Sequence, residues 1–219
     1  MPLIDRTHII ESDAFYPADS SARQFIDLTD AVQGVALQPD VREIVYSLMP
    51  LALLTEDASA DDNKTAKAKQ AARKQQFAVR LPMLIDDIAY LAANTIDGQR
   101  VTLLLSGDTD YQAVAHALPQ ILPHIDAVTI YFAGFRDGRG YSLAQSMRMH
   151  PDFGDTTLRA LGDILPDTLE LLMQVGFSQF IIDEQAFNNA WFAYFDSIRH
   201  PYDGRSAQEL PMFSRAQAK

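Results

Sequence analysis

From residue 101 onward, hydrophobic and polar positions follow two patterns that alternate along the chain. Short continuous apolar runs at 101–106, 127–133, 156–161 and 180–183 are typical of strands buried on both faces. After each run, apolar residues recur at the helical spacing i, i+3, i+4. This part of the chain therefore predicts four strand–helix units, with right-handed crossovers and a parallel sheet.

These units predict an α/β fold whose parallel sheet holds about four to six strands, because a complete eight-fold barrel usually needs about 250 residues. The chain has 219 residues, so we expect a half-barrel or an open three-layer sheet. The N-terminal third, residues 1–55, is predicted to be irregular, apart from a short strand near 9–13 and an apolar run at 42–54. In either architecture, function is expected at the carboxyl ends of the strands.

The whole chain, 1–219, is predicted to form one α/β domain. Within it, residues 56–99 are expected to be an insertion, since 56–76 contains only polar residues and alanine and predicts a charged, solvated helix. Residues 100–198 are predicted to be the βα core, and 199–219 a loosely packed tail.

Charge and composition exclude several function classes. The chain has 18 Lys and Arg against 29 Asp and Glu, a net charge of −11, which argues against nucleic acid or an anionic membrane as the partner. Cysteine is absent, which excludes disulfides, thiolate catalysis and cysteine-ligated metal centres. With no apolar segment of secretory or membrane-spanning length, we expect a cytoplasmic protein.

The loop after the second predicted strand is the strongest candidate for chemistry. Residues 134–142 read Gly-Phe-Arg-Asp-Gly-Arg-Gly-Tyr-Ser, directly before a predicted helix. Glycines let a ligand approach the backbone, and a helix N-terminus offers free N–H groups to an anion. Arg136 and Arg139 add bidentate donors, and Ser142 adds a hydroxyl. The loop therefore predicts an anion site.

The same loop also fits a tight structural turn in which Asp137 pairs with Arg139. It matches neither the dinucleotide-binding glycine pattern nor the phosphate-binding loop. In the next unit, Arg159 lies within an apolar strand and needs a partner if it is buried, for which Asp137 or Asp163 is expected. Asp163 is also placed to cap the following helix.

No metal, flavin or haem is predicted. The five histidines lack paired spacing, and the acids at the strand ends lack D-x-D spacing. The aromatic residues at 187–195 predict a helix that serves partly as core and partly as a subunit interface. The two open edges of a half-barrel predict a homodimer.

Three segments together resemble a known family. Residues 135–144 (F-R-D-G-R-G-Y-S-L-A), 158–165 (L-R-A-L-G-D-I-L) and 175–177 (V-G-F) resemble the uncharacterised bacterial family called domain of unknown function nine-three-four. Its pattern is F-x-D-G-R-G-Y-S-x-A, then L-R-A-x-G-D-x-L-x-D, then C-G-F, and the resemblance spans about 101–195. The family cysteine is Val175 here, so no thiol role carries over.

Family members are encoded beside sulfite reductase and other sulfate-assimilation genes, and are labelled oxidoreductases for that reason. The resemblance implies an accessory protein of assimilatory sulfate or sulfite reduction that binds a small oxyanion or an adenylylated sulfate at 134–142. If it is a redox enzyme, NADPH or NADH is the expected cofactor. The candidate site residues are Asp137, Gly138, Arg139, Gly140, Tyr141, Ser142, Arg159 and Asp163, and the motif also carries Gly162 and Asp167.

A second interpretation involves no catalysis. The chain would be an interaction protein that docks on sulfite reductase or self-associates, and the arginine–aspartate loop would be a structural lock. The accessibility of Arg139 separates the two interpretations: an exposed side chain at the mouth of a cleft favours ligand binding, and a buried one favours the lock.

Overall fold

The computed structural model describes residues 1–11, 23–27, 32–49 and 81–196. The strands are β1 (Leu3–Ile4), β2 (Ile9–Glu11), β3 (Arg23–Ile26), β4 (Glu43–Ser47), β5 (Arg100–Ser106), β6 (Ala127–Phe132), β7 (Thr157–Gly162) and β8 (Gln179–Ile181). The α-helices are α1 (Leu84–Asn94), α2 (Tyr111–Ala115), α3 (Leu118–Ile121), α4 (Arg139–Arg148) and α5 (Leu169–Gln174). Short 3₁₀ segments are Val32–Gly34, Leu81–Met83, Leu122–His124, Pro166–Thr168 and Asn189–Asp196.

The strands form one mixed sheet in the order β2-β1-β8-β7-β6-β5-β4-β3. From β3 to β8 they are parallel, and each strand lies beside the next one in the chain. At the other end, β1 is antiparallel to β8, and β2 is antiparallel to β1. A sequential order without reversal is the arrangement of consecutive βα units in a barrel, so the fold is a half-barrel.

The α/β class and the half-barrel are confirmed, but the prediction of a purely parallel sheet of four to six strands is wrong. The sheet has eight strands because the N-terminal third, predicted to be irregular, supplies β1 to β4. The short strand predicted near 9–13 is confirmed as β2, whereas β1 is only two residues long, too short to show any periodicity. Pairing with β8 on one side and with β2 on the other makes β1 a strand.

The helices pack on one face of the sheet. Their buried side chains, among them Ile88, Leu118, Met147 and Leu172, share one large hydrophobic cluster with the outward-facing strand residues. A smaller cluster on the opposite, concave face consists of Leu3, Val45, Met49, Leu104, Leu161 and Ile181. In the described ranges, no helix is long and apolar enough to cross a membrane.

The segment predicted to be an insertion contributes to the core. α1 buries Leu84, Ile88 and Leu91 at the spacing i, i+4, i+7, so it covers the sheet as the βα helices do. The charged helix predicted for 56–76 and the tail predicted for 199–219 lie outside the described residues.

The aromatic segment near the C-terminal end is mainly core. The predicted α-helix is a 3₁₀ helix, Asn189–Asp196, in which Trp191 and Phe195 are buried. The Phe195 ring lies 5.3 Å from that of Phe180 on β8. Phe187 and Phe192 are partly buried against the core, so Tyr194, which is 41% exposed, is the aromatic side chain of this segment that remains for the predicted interface.

Contacts between distant strands show how strongly the sheet curves. Neighbouring strands lie about 4.8 Å apart, so a flat sheet would separate β2 from β3, seven positions away, by about 34 Å. Yet Glu11 on β2 forms an ion pair with Arg23 on β3. The sheet therefore curls until side chains of its two end strands meet.

A buried charge network fills the concave face below the apolar cluster. Glu43 on β4 accepts hydrogen bonds from Arg23 Nε at 2.7 Å, from Arg159 on β7 and from the hydroxyl of Thr102 on β5. The side chains of Arg23, Glu43 and Arg159 are each exposed by no more than 2%. Glu11 extends the network to the half-buried Arg100 at 3.0 Å. One carboxylate thus joins β3, β4, β5 and β7.

Opposing effects act on the Glu43 carboxyl. Burial by itself would raise its pKa, but Arg159 and Arg23, with the hydrogen bonds from Thr102 and Arg159, outweigh burial and leave the pKa below its ordinary value. Glu43 is therefore ionised in the folded protein.

Glu43→Gln is expected to lower the free energy of unfolding by about 3–5 kcal/mol, because the buried Arg159 loses its counter-charge and Arg23 loses one of its carboxylate partners. Because the folded-state pKa lies below the ordinary 4.5, this stabilisation is complete above about pH 4.5 and is lost as the pH falls through the lowered pKa. Urea unfolding of the wild type at decreasing pH should show this loss of stability. The Glu43→Gln variant should not show this pH-dependent loss.

The exposed Glu184 supplies the matched control. Glu184→Gln should change stability by less than about 0.5 kcal/mol. Equal effects at the two positions would contradict the structural role given to Glu43.

Candidate binding cleft

An open cleft of about 260 Å³ lies at the carboxyl edge of the sheet. Because β5 and β6 are parallel neighbours, the segments that follow them meet at this edge. One wall is the loop after β5 with the start of α2, and the other is the first turns of α4. The lining residues are Gly107, Asp108, Thr109, Asp110, Tyr111, Arg139, Ser142, Leu143 and Ser146.

The wall after β5 is held by its own polar groups. Gly107 N donates to Tyr131 O at 2.8 Å, which ties the loop to the end of β6. Asp108 Oδ1 accepts from the Ser106 hydroxyl at 2.5 Å. The N-cap of α2 is Asp110, whose Oδ1 accepts from Gln112 N at 3.0 Å. Two carboxylates are therefore fixed along this wall.

Arg139 lies at the mouth of the cleft with 56% of its side chain exposed. The Asp137 carboxylate accepts hydrogen bonds from Arg139 Nε, at 2.8 Å, and from Arg139 Nη2, at 2.5 Å, so the guanidinium is held in one plane. The remaining nitrogen, Nη1, lies 3.7 Å from Asp108 Oδ2 on the opposite wall. The pair predicted between Asp137 and Arg139 exists, and the arginine is exposed as well.

The ion pair keeps both partners charged. The hydrogen bond from Arg139 lowers the pKa of Asp137, although partial burial opposes this, and the bond to Asp137 raises the pKa of Arg139. Along the cleft itself, the lining holds one cation, Arg139, and two carboxylates, Asp108 and Asp110. The cleft is therefore polar and of mixed charge, not a basic pocket.

Several motif residues serve packing around Phe132, the last residue of β6. A Cβ on Gly140 would lie 2.4 Å from the Phe132 ring, and Gly162, at φ +111°, would bring one 2.3 Å from Phe132 O. Tyr141 packs edge-on to Phe132 at 5.5 Å, and burial raises the pKa of its hydroxyl. These three residues position the start of α4 and line no part of the cleft.

Gly138 and Asp163 also lie outside the cleft lining. Gly138 is the N-cap of α4, with φ −71° and no atom within 4 Å of a would-be Cβ. Asp163 Oδ2 accepts from Phe135 N at 3.0 Å and so ties the loop after β7 to the loop after β6. It does not cap the next helical segment, whose N-cap is Leu165, because its carboxylate points to the neighbouring loop instead.

For Arg159, the expected partners Asp137 and Asp163 are wrong. The side chain projects from β7 onto the concave face, where Nε donates to Gln179 Oε1 at 2.6 Å and Nη1 to Glu43. The period of two along a strand, and the curvature that brings β4 near, decide this placement. Arg159 therefore has a structural role, and these hydrogen-bond partners lie away from the glycine-rich loop.

Of the eight predicted site residues, the cleft is lined by Arg139 and Ser142, with Asp137 holding Arg139 from behind. Sequence reasoning missed the opposite wall, chiefly Asp110 and Tyr111. Their signal was their position at the carboxyl end of the strand before the glycine-rich loop. Within the described ranges, no three histidine, aspartate or glutamate side chains converge to hold a metal ion.

Residues 103–213 match the family model described as Bacterial protein of unknown function (DUF934). The match covers just over half of the chain, and the protein therefore belongs to this family. The family recognised from the motifs is confirmed. No curated protein and no solved structure matches the chain.

The two glycines that begin α4 should respond in opposite ways to alanine. Gly140→Ala forces a Cβ against the buried Phe132 ring and should destabilise the fold by about 1–3 kcal/mol. Gly138→Ala meets open space at a compatible φ and should be neutral or stabilising by up to about 1 kcal/mol. Thermal unfolding of both variants checks this, and a destabilised Gly138→Ala would contradict the described geometry.

Proposed function

We propose that this protein is an accessory binding protein of assimilatory sulfate or sulfite reduction. It acts in the cytoplasm, and it holds a sulfur oxyanion or an adenylylated sulfate in the cleft beside Arg139. The observation that carries the proposal is the exposed guanidinium of Arg139, held in one plane by Asp137 at the mouth of a cleft. The pathway rests on the family resemblance, and the binding mode on this geometry.

The position of the cleft supports ligand binding. In half-barrels and other parallel α/β folds, ligands bind where the strand-to-helix loops meet at the carboxyl edge. Arg139 is also the first residue of α4, so it lies at the positive end of a ten-residue helix, which favours a negative group nearby. Because Asp137 takes up Nε and Nη2, the Nη1 edge is the part of the guanidinium turned toward the cleft.

A thermal-shift panel tests the proposal with sulfite, sulfate, phosphate, adenylyl sulfate, its 3′-phosphorylated form, NADPH and NADH. A ligand at about 100 times its Kd adds about 2.7 kcal/mol of stability. For a chain of this size, that raises Tm by about 5 °C or more. We expect such a shift with at least one sulfur-bearing ligand on wild type and its loss in Arg139→Ala.

Arg136→Ala is the matched control, because Arg136 lies in the same loop but stacks on Phe135 and lines no part of the cleft. It should keep the full ligand shift. Loss of the shift in both variants would point to general charge attraction, and no shift with any ligand on wild type would contradict the binding proposal.

A second candidate function is an interaction protein that docks on sulfite reductase or self-associates. The specific observation in its favour is that Asp137 already satisfies two nitrogens of Arg139, as a structural lock requires. The predicted homodimer would use the exposed Tyr194 or a sheet edge, although the two end strands are bridged by the Glu11–Arg23 ion pair.

Light scattering coupled to size-exclusion chromatography tests self-association. A dimer mass that reverts toward monomer in Tyr194→Ser, with Tm unchanged, is the result expected for this second function. A monomer mass at every concentration would contradict self-association, and pull-down with purified sulfite reductase then tests docking.

A further inference from the structure

The walls of the cleft restrict the kind of anion that it can hold. Arg139 is the one cation among the lining residues, and it faces Asp108 across the cleft at 3.7 Å. Asp110 adds a second carboxylate to the same wall. A bare oxyanion placed against Arg139 would therefore lie near two like charges and would carry no hydrogen-bond donor for them.

Carboxylates become favourable once the ligand brings hydrogen-bond donors. A carboxylate is a hydrogen-bond acceptor only, with about four lone-pair positions. Asp108 Oδ1 accepts from the Ser106 hydroxyl and Asp108 Oδ2 faces Arg139 Nη1 at 3.7 Å, while Asp110 Oδ1 accepts from Gln112 N, so both carboxylates are held in place along the wall. Neighbouring hydroxyl groups, as on a ribose, are neutral donors that fit such a wall.

Size and shape support a larger ligand than an inorganic ion. A water molecule takes up about 30 Å³ in the liquid, so 260 Å³ holds about nine waters, and a tetrahedral anion would leave most of the cleft wet. The half-buried ring of Tyr111 and the side chain of Leu143 supply apolar surface in the lining. An aromatic ring is a surface on which a nucleobase stacks.

We propose that the cleft binds a ribonucleoside 5′-phosphate or its mixed anhydride, with the anionic end at Arg139 and the ribose hydroxyls at Asp108 and Asp110. The base lies toward Tyr111. This inference rests on the proposed function in one respect, since both place the anionic group at Arg139. It goes further in assigning the opposite wall to a sugar.

Isothermal titration of the full chain tests the sugar wall with four probes: AMP, 2′,3′-dideoxy-AMP, adenylyl sulfate and inorganic sulfate. AMP and adenylyl sulfate should bind. Dideoxy-AMP should bind at least about tenfold more weakly, because the hydrogen bonds to charged acceptors are lost. Inorganic sulfate should bind more weakly than either ribonucleotide.

Asp110→Asn removes the charge of one wall residue while keeping the helix cap, since asparagine and aspartate cap equally well. This variant should narrow the difference in affinity between AMP and dideoxy-AMP. Asp97→Asn, at an exposed position that does not line the cleft, should leave that difference unchanged. Thermal melts without ligand confirm that both variants fold.

The outcomes separate the two proposals. Arg139-dependent binding of sulfate or sulfite that equals the binding of AMP would overturn the sugar wall and leave the proposed function standing. Equal affinity for AMP and dideoxy-AMP would overturn the sugar wall as well. Binding of none of the four probes, nor of sulfite, would overturn both.

Discussion

The fold depends on a single buried carboxylate. Glu43 joins Arg23, Thr102 and Arg159 across the concave face, so strands β3, β4, β5 and β7 share one charge centre. Apolar contacts alone permit many curvatures, because the hydrophobic effect has no direction. Directional ion pairs with little tolerance in distance select a tightly curled sheet, and Glu11 completes the arrangement by joining the two end strands.

Curvature in turn arranges the functional edge. With all the described helices on the convex face, every crossover returns to the next strand in order, and the loop after β5 lies beside the loop after β6. The motif residues Gly140, Tyr141 and Gly162 lock the start of α4 onto Phe132. Much of the family motif is thus a packing device that presents Arg139 at a defined place.

The candidate cleft combines one guanidinium with two carboxylates, and this mixture decides its chemistry. A site for a bare anion would surround it with donors, whereas this one has acceptors on the facing wall. The Asp137–Arg139 pair, which suggested a purely structural loop, also orients the arginine without burying it. Structural locking and ligand binding are therefore compatible in this loop.

Much of the core could be predicted from sequence, because buried parallel strands and amphipathic helices leave local signals. The four strands after residue 100, the α-helices that follow the first three of them, the Asp137–Arg139 pair and the family membership all followed from the order of residues. These features depend on neighbours a few residues apart, so one-dimensional pattern is sufficient to find them.

The tertiary structure alone decided the rest, since it depends on pairs that are distant along the chain. β1 exists through pairing with β8, nearly the full length of the domain away. Arg159 was assigned to the loop from its position in sequence, but its partner Glu43 lies 116 residues away and is reached only through curvature. The opposite wall of the cleft, with Asp108 and Asp110, joined the site for the same reason: strand adjacency, which no local pattern encodes, brings the two loops together.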